Sequence, residues 1–443
     1  MATGVTKKEQ SKSNTLTAVD SFASELPLPP PVSAVTIEYE GKSKESEILA
    51  SEPGHFRKLN KNGKANRSKE HRVPINSFVL SDNFTGLLSI VNSNEKVNLF
   101  YLDPPYGTGM DFQSRDLEHA YSDSMGPASY LELMRRRLIL MRECLDSDGS
   151  IYVHIGHQMM AHMKIIMDEI FGVQNFRNVI SRKKCSSKNF TTKQYSNLND
   201  YVLFYSKSKN YKWFQPGETP SQSWIDKEYP KTDDIGRKFK LVPIHAPGTR
   251  NGETGKQWKG MSPPPGKHWQ YIPSKLDSLD AAGDIHWSRN GNPRRKVYWT
   301  SDKKISLSDY WSGFRDAYHQ SIKITGYPTE KNMDMLKMIV GASSEEGDLV
   351  VDPFCGSGTT MQAALDLNRN TIGFDASFAA AKATLNRLRN GTEAMGDYVK
   401  KKKQKQQSLD LLPTETAARD ITFLVESDLW EIYESDISSI AKI

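Results

Sequence analysis

Asp103-Pro104-Pro105-Tyr106 is the stretch that most restricts what this chain can fold into. Two consecutive prolines fix φ twice, and Pro104 drives Asp103 out of the helical region. The six residues before Asp103, from Val97 to Leu102, are rich enough in Val, Leu, Phe and Tyr to read as a buried strand. The chain therefore leaves a strand end in a stiff, extended corner. Such a corner can present one carboxylate (Asp103), one free carbonyl (Pro104) and one ring (Tyr106) to the same small space. That set suits a planar ring bearing an exocyclic NH2, whose two N–H bonds go to the oxygens while Tyr106 stacks on its face. Taken alone, the tetrapeptide reads equally well as an ordinary turn after a strand.

A second motif, far down the chain, changes that balance. Asp352-x-Phe354-x-Gly356-x-Gly358 joins a strand over 348–352 to a helix that runs through Leu367. The glycines let the backbone approach a ligand closely, and the N–H groups of Ser357, Thr359 and Thr360 at the helix start favour an anionic group. Asp375 ends the following strand, where an acid accepts hydrogen bonds from ribose hydroxyls, and Ser377 opens the next helix. A lone Gly-x-Gly is weak; in strand–turn–helix–strand–acid context it is a strong signal.

Between and around these motifs, strands and helices alternate. Strands are expected at 77–80, 97–102, 150–155, 179–182, 201–205, 348–352 and 371–375. Helices follow Asp82 and Ser377 and span 127–145 and 159–171. The stretch from Met110 to Asp123 is too irregular for core and reads as a loop over a site. The fold class is therefore α/β, a Rossmann-like sheet, mostly parallel and covered by helices on both faces. The pattern breaks over 207–327, which reads as an inserted module of irregular and β structure. Residues 1–70 read as a disordered, basic arm, 71–206 and 328–391 as the two halves of the core, and 392–443 as a basic linker followed by a short structured tail at Ile421–Leu424 and Leu429–Tyr433.

Charge is distributed unevenly. From Ser181 to Tyr327 there are 26 Lys and Arg against 13 Asp and Glu, although the whole chain carries only +6. Seven of the eight tryptophans lie in the same segment, and a basic, aromatic-rich segment is the expected footprint for nucleic acid. A solvated face beside a packed core is the bland alternative. Lys183, Lys184, Lys188, Arg289, Arg294, Arg295 and Lys296 are the candidates for phosphate and base contact. The three cysteines are widely separated and make neither a disulfide framework nor a zinc cluster, so no metal is expected. His154 and His157 are read as structural. No apolar run reaches membrane-spanning length and no secretory signal opens the chain, so a reducing cytosol is expected.

Together the two motifs resemble the amino-methylating, S-adenosyl-L-methionine-dependent DNA methyltransferases. The order of tetrapeptide, insert and then cofactor glycines resembles their circularly permuted beta class, over roughly residues 76–390. The likeness is closest to stand-alone adenine-N6 methyltransferases and to the modification subunits of type III restriction-modification systems. It implies that a flipped adenine is held by Asp103, Pro104, Pro105 and Tyr106, and that 207–327 recognises the target sequence in double-stranded DNA. It also implies that Asp82 faces the cofactor's adenine, and that Thr329 and Lys331 flank its methionine end. The family commonly has Gln where Glu330 stands and Pro where Asn332 stands. A homodimer, a cognate restriction endonuclease and a cytoplasmic, nucleoid-associated setting in a prokaryote or phage are further implications. Cytosine N4 is the alternative target, because the family usually carries Ser at the first position of the tetrapeptide when it methylates cytosine. A protein-glutamine or RNA methyltransferase would share the cofactor half, and a silent DNA-binding regulator is the alternative of a different class.

Overall fold

In a computed structural model the protein is described over residues 35–59, 71–105, 111–113, 119–122, 126–184, 193, 195–314, 323–324, 330–391, 393–394 and 421–440. It divides into two compact units, one formed by 1–214 with 309–443 and the other by 215–308.

The larger unit is built on a ten-stranded sheet. Its strands in chain order are β1 (Phe56–Lys58), β2 (Ser77–Leu80), β3 (Val97–Leu102), β4 (Leu145–Ile155), β5 (Phe176–Lys183), β6 (Asn199–Ser206), β7 (Tyr310–Trp311), β8 (Leu349–Asp352), β9 (Asn370–Asp375) and β10 (Thr422–Glu426). Across the sheet they run β1-β10-β2-β9-β8-β3-β4-β6-β5-β7. From β10 to β4 every pairing is parallel, and β6 enters antiparallel to both β4 and β5. The parallel strands are covered on both sides, which is why they read as continuous apolar runs rather than alternating ones. All four residues of β2 and of β8 are buried.

Helices α2 (Asn83–Ser93), α3 (Pro127–Cys144) and α4 (Met160–Phe171) cover one face. There Leu87, Leu138, Met141 and Ile166 pack with Phe100 and Leu102 of β3. Helices α5 (Met333–Ser343), α6 (Thr359–Asp366) and α7 (Phe378–Asn390) cover the other. Leu336, Ile339 and Ala363 pack there with Leu99 and Tyr101, the alternate residues of the same strand. Local chemistry fixes the helix starts: the Asp82 side chain accepts from Phe84 N at 2.7 Å, Asn332 from Met335 N at 3.0 Å and Ser377 from Ala380 N at 3.4 Å. Pro127 sits in the first turn of α3, where its missing N–H costs nothing.

Three segments differ from the sequence reading. The arm assigned to 1–70 is folded in its described part: a short helix α1 (Glu45–Leu49) buries Ile48, and Phe56 is fully buried in β1. The tail contributes β10 to the sheet interior, parallel to β2 and antiparallel to β1, followed by α8 (Ser427–Ile440). Within the expected loop, Asp111–Gln113 pairs antiparallel with His119–Ser122. The first two depend on partners distant in sequence, which local pattern does not reveal; the third is a local pairing within the expected loop. Among the described residues no helix is long and apolar enough to cross a membrane.

The smaller unit has its own four-stranded antiparallel sheet, in the order Lys231–Thr232, Lys238–Pro243, Pro293–Tyr298, Ile285–Trp287. Its core is Ile244, Trp258, Trp269, Leu276 and Ile285. Trp258 Nε1 donates to Asp277 at 2.7 Å and Trp269 Nε1 to the Lys256 carbonyl at 3.0 Å. These two tryptophans are therefore structural, each burying its ring and satisfying its one donor. Residues 207–214 and 309–314 belong to the larger unit: Trp213 stacks on Phe204 with ring centroids 5.7 Å apart, and β7 pairs with β5.

Candidate active site

β3 and β8 lie side by side, with Phe100 opposite Val351. Both strands therefore end at the same edge, and Asp103 and Asp352 leave it together. From β8 the chain order runs outward through β9, and from β3 it runs the other way through β4. This reversal is a topological switch point, where open parallel sheets leave a crevice beyond their carboxyl ends. A cavity of about 230 Å³ occupies it. Asp103 and Pro105 line it from the corner, Phe354, Gly356, Ser357, Thr359 and Thr360 from the glycine turn, and Asp82, Asp352 and Asp375 from strand ends.

The turn is held by its own acids. Asp375 accepts from Gly356 N and Ser377 N, both at 2.9 Å, and Asp352 accepts from Phe354 N at 3.0 Å. Gly358 has φ +74°, and a Cβ there would sit 2.8 Å from the Thr384 side chain. Only glycine meets both conditions. Burial pushes the Asp352 carboxyl up to about 7; bonds from Thr360 and the Phe354 N–H pull it down, and the charges of Asp103 and Asp375 push it further up. Burial likewise raises Asp375 to about 6, against the two N–H groups that hold it down. The acid groups of Asp103, Asp352 and Asp375, gathered on one small cavity, favour a cationic ligand.

Asp103 is not left to solvent. Its Oδ2 is paired with Lys331 Nζ, and both side chains are largely buried. Beneath the corner, the Tyr101 hydroxyl lies 2.8 Å from His154 Nδ1, and His154 Nε2 lies 3.0 Å from Asp200 Oδ2. Arg182 Nη1 donates to the same Asp200 oxygen at 3.0 Å. Burial works to raise Asp200, but His154, Arg182 and Lys331 outweigh it and hold its carboxyl well below the usual range. His154 is thus a buried support of β3, β4 and β6, while His157 is exposed.

At the other end of the cavity, Arg137 Nη2 donates to Asp82 Oδ1 at 2.7 Å, and its Nε donates to Asn83 Oδ1. Burial lowers the Arg137 guanidinium, and Asp82 opposes that shift. The Asn83 side chain also donates to the Pro353 carbonyl, at 2.6 Å. Arg137, Asn83 and Tyr130 line the cavity and were not singled out as site residues by sequence. The available signal was an arginine on the apolar face of α3, where a buried cation implies a buried partner.

The cavity brings together Asp103, Pro105, Asp82, Lys331, Asp352, Phe354, Gly356, Ser357, Thr359, Thr360 and Asp375. Pro104 is buried beside it, Gly358 caps α6, and Ser377 serves as the cap of α7. Tyr106, Thr329 and Lys188 lie outside the described residues. Lys183 ends β5 of the larger unit and Lys184 follows it, whereas Arg289, Arg294, Arg295 and Lys296 belong to the smaller. Arg289 and Arg294 are exposed there. Arg295 instead bonds the Tyr271 hydroxyl, and the Lys296 ammonium lies 5.7 Å from the Phe239 ring centre, so both stems also serve packing. Among the described residues no cluster of three or more His, Cys, Asp or Glu could hold a metal ion.

The arrangement suits a nucleoside-bearing cofactor. Pro353, Phe354, Tyr130 and Leu133 give apolar walls for a base, Asp375 an acceptor for ribose, the N-terminus of α6 a seat for a carboxylate, and Asp103, Asp352 and Asp375 a field for a positive centre. Fold and site together define a nucleoside-cofactor-dependent group-transfer enzyme acting at the carboxyl edge of a parallel sheet.

The chain belongs to the N6/N4 family described as DNA methylase, whose sequence profile matches residues 97–386. It is 53% identical to the type II methyltransferase M.EcaI of Enterobacter cloacae, over 100% of this chain and 98% of that one. It is 27% identical to the StyLTI Mod subunit of a type III restriction-modification enzyme from Salmonella typhimurium, over 70% of this chain and 52% of that longer one. Among solved structures, M1.HpyAVI matches with a TM-score of 0.38 at 14% identity, over 71% of this chain and 98% of that one. The protein is therefore a DNA methyltransferase related to restriction-modification enzymes, and S-adenosyl-L-methionine is its cofactor.

Proposed function

We propose that the protein methylates the N6 amino group of adenine within a specific sequence of double-stranded DNA. The observation that carries this reading is Asp103: a carboxylate at the end of β3, on the same cavity as the Asp352–Gly358 turn. S-adenosyl-L-methionine supplies an electrophilic methyl group on a positively charged sulfur. The protein's task is then to present a nucleophile in line and to exclude water. Asp103 and the Pro104 carbonyl accept the two N–H bonds of the target amine, which turns its lone pair out of conjugation with the ring. Tyr106 stacks on the base. Asp375 takes the ribose hydroxyls, Asp82 the cofactor's adenine, and the N-terminus of α6 its carboxylate end. The target base leaves the duplex stack to reach the corner, at a cost of a few kcal/mol. Such catalysis is mainly positioning, so displacement of the corner by about 1 Å is expensive.

The basic unit 215–308 and the end of β5 supply the DNA contacts in this reading. M.EcaI and the StyLTI Mod subunit support a role beside a cognate restriction endonuclease in a bacterial cytoplasm, and the resemblance to the beta class supports a homodimer. The test is direct. Purified protein is incubated with unmodified plasmid and labelled cofactor, and the DNA is digested to nucleosides and separated. Label in N6-methyldeoxyadenosine supports the proposal; label in N4-methyldeoxycytidine, or in no nucleoside, overturns it.

A further inference from the structure

Glu330 and Lys331 are neighbours in sequence, yet their side chains serve different parts of the cavity. Lys331 pairs with Asp103, and Glu330 pairs with Arg387 of α7. The Arg387 and Glu330 side chains are only 1% and 5% exposed, so this pair is fully withdrawn from water. Arg387 does more than neutralise Glu330. Its Nε donates to the Ser357 carbonyl at 2.6 Å, and its Nη2 approaches Ser357 Oγ at 3.5 Å. Ser357 is the residue between the two glycines of the cofactor turn. A single guanidinium therefore grips that turn on one side and, through Glu330, the dipeptide that holds Asp103 on the other.

We infer that Arg387 and Glu330 are positioning residues for methyl transfer: a brace that fixes the corner holding the target amine relative to the turn that seats the methyl donor. The inference rests on the reading of Asp103 as the amine's acceptor. It also accounts for Glu330 standing where the resembling family commonly has Gln. A planar guanidinium buried against the turn needs a negative partner, which an amide cannot supply. The brace acts through Lys331, because that is the residue by which the 330–331 segment reaches Asp103.

The test is a cycle of full-length variants read by single-turnover methyl transfer at saturating cofactor, with saturation checked by calorimetry. Removing one charge alone risks unfolding, so the informative change is the neutral pair E330Q/R387Q, which keeps hydrogen-bonding side chains and buries no lone charge. It is expected to slow transfer about tenfold or more while the thermal midpoint stays close to that of the parent. In a K331M background the same double change is expected to alter the rate by less than about twofold, since the link to Asp103 is already gone. An equal loss in both backgrounds, or no loss in the parent, overturns the brace while leaving the proposed reaction intact. A parent protein that leaves adenine unmethylated overturns the reading of Asp103 and the brace with it.

Discussion

Among single residues, Asp103 and Asp352 make opposite predictions. Asp103 touches the reacting amine in the proposed mechanism, so D103A should lose methyl transfer by about 10³-fold or more while binding cofactor within a few-fold of the parent. Near-normal turnover by that variant would remove the mechanism. In the same proposed mechanism Asp352 does not touch the amine, and its part is electrostatic. With its carboxyl at about 7 in the empty site, binding a cation must release its proton whenever the pH lies below that value. Cofactor affinity should therefore weaken about tenfold between pH 8 and pH 6, and D352N should flatten the dependence. The empty protein should show the companion effect. Because the folded state holds a proton that the unfolded chain gives up near pH 4, this group's contribution to stability falls as pH rises from about 4 to about 7. A D352N variant whose thermal midpoint keeps the parent's pH dependence across that window would contradict the assignment.

The secondary-structure elements show what the sequence could and could not disclose. The strands β2, β3 and β8 were legible because burial on both faces makes most of each an apolar run, and β9 through Ile372 and Phe374 ahead of Asp375. The glycine turn was legible because only glycine tolerates the backbone at Gly358. Accordingly G358A should weaken cofactor binding at least tenfold and lower stability by about 1–3 kcal/mol, measured by calorimetry and thermal unfolding. Contacts made across long sequence gaps were not legible. Nothing near Asp82 announces Arg137, nothing near Glu330 announces Arg387, and the apolar 421–424 segment reads as tail although it enters the sheet. β10 buries Phe423, Leu424 and Val425 between β1 and β2. Truncation after residue 420 should expose the edge of β2 and yield aggregating or insoluble protein. A soluble truncated chain with an unchanged midpoint would show that the strand is dispensable.

At the scale of the whole molecule, the uneven charge is what ties chemistry to substrate. The unit 215–308 carries 16 Lys and Arg against 10 Asp and Glu. Several of its cations already face acids within the unit, among them Arg237 with Asp233, Lys238 with Asp226 and Lys259 with Asp280. Net charge alone therefore overstates the surface offered to phosphate, and the exposed Arg289 and Arg294 are the better candidates. If the protein neutralises on the order of five phosphates, the logarithm of DNA affinity should fall against the logarithm of salt with a slope of about −4.5. Replacing a phosphate-contacting arginine should reduce that slope by about one and weaken binding alike on target and unrelated duplexes. Replacing a base-reading arginine should instead cost about 1–3 kcal/mol on the target alone and leave the slope almost unaltered. Measuring R289A and R294A by fluorescence anisotropy on both duplexes, across a salt series, separates the two roles. Two variants that match the parent in slope and affinity on both duplexes would move DNA recognition away from the paired strands Ile285–Trp287 and Pro293–Tyr298 and the turn between them.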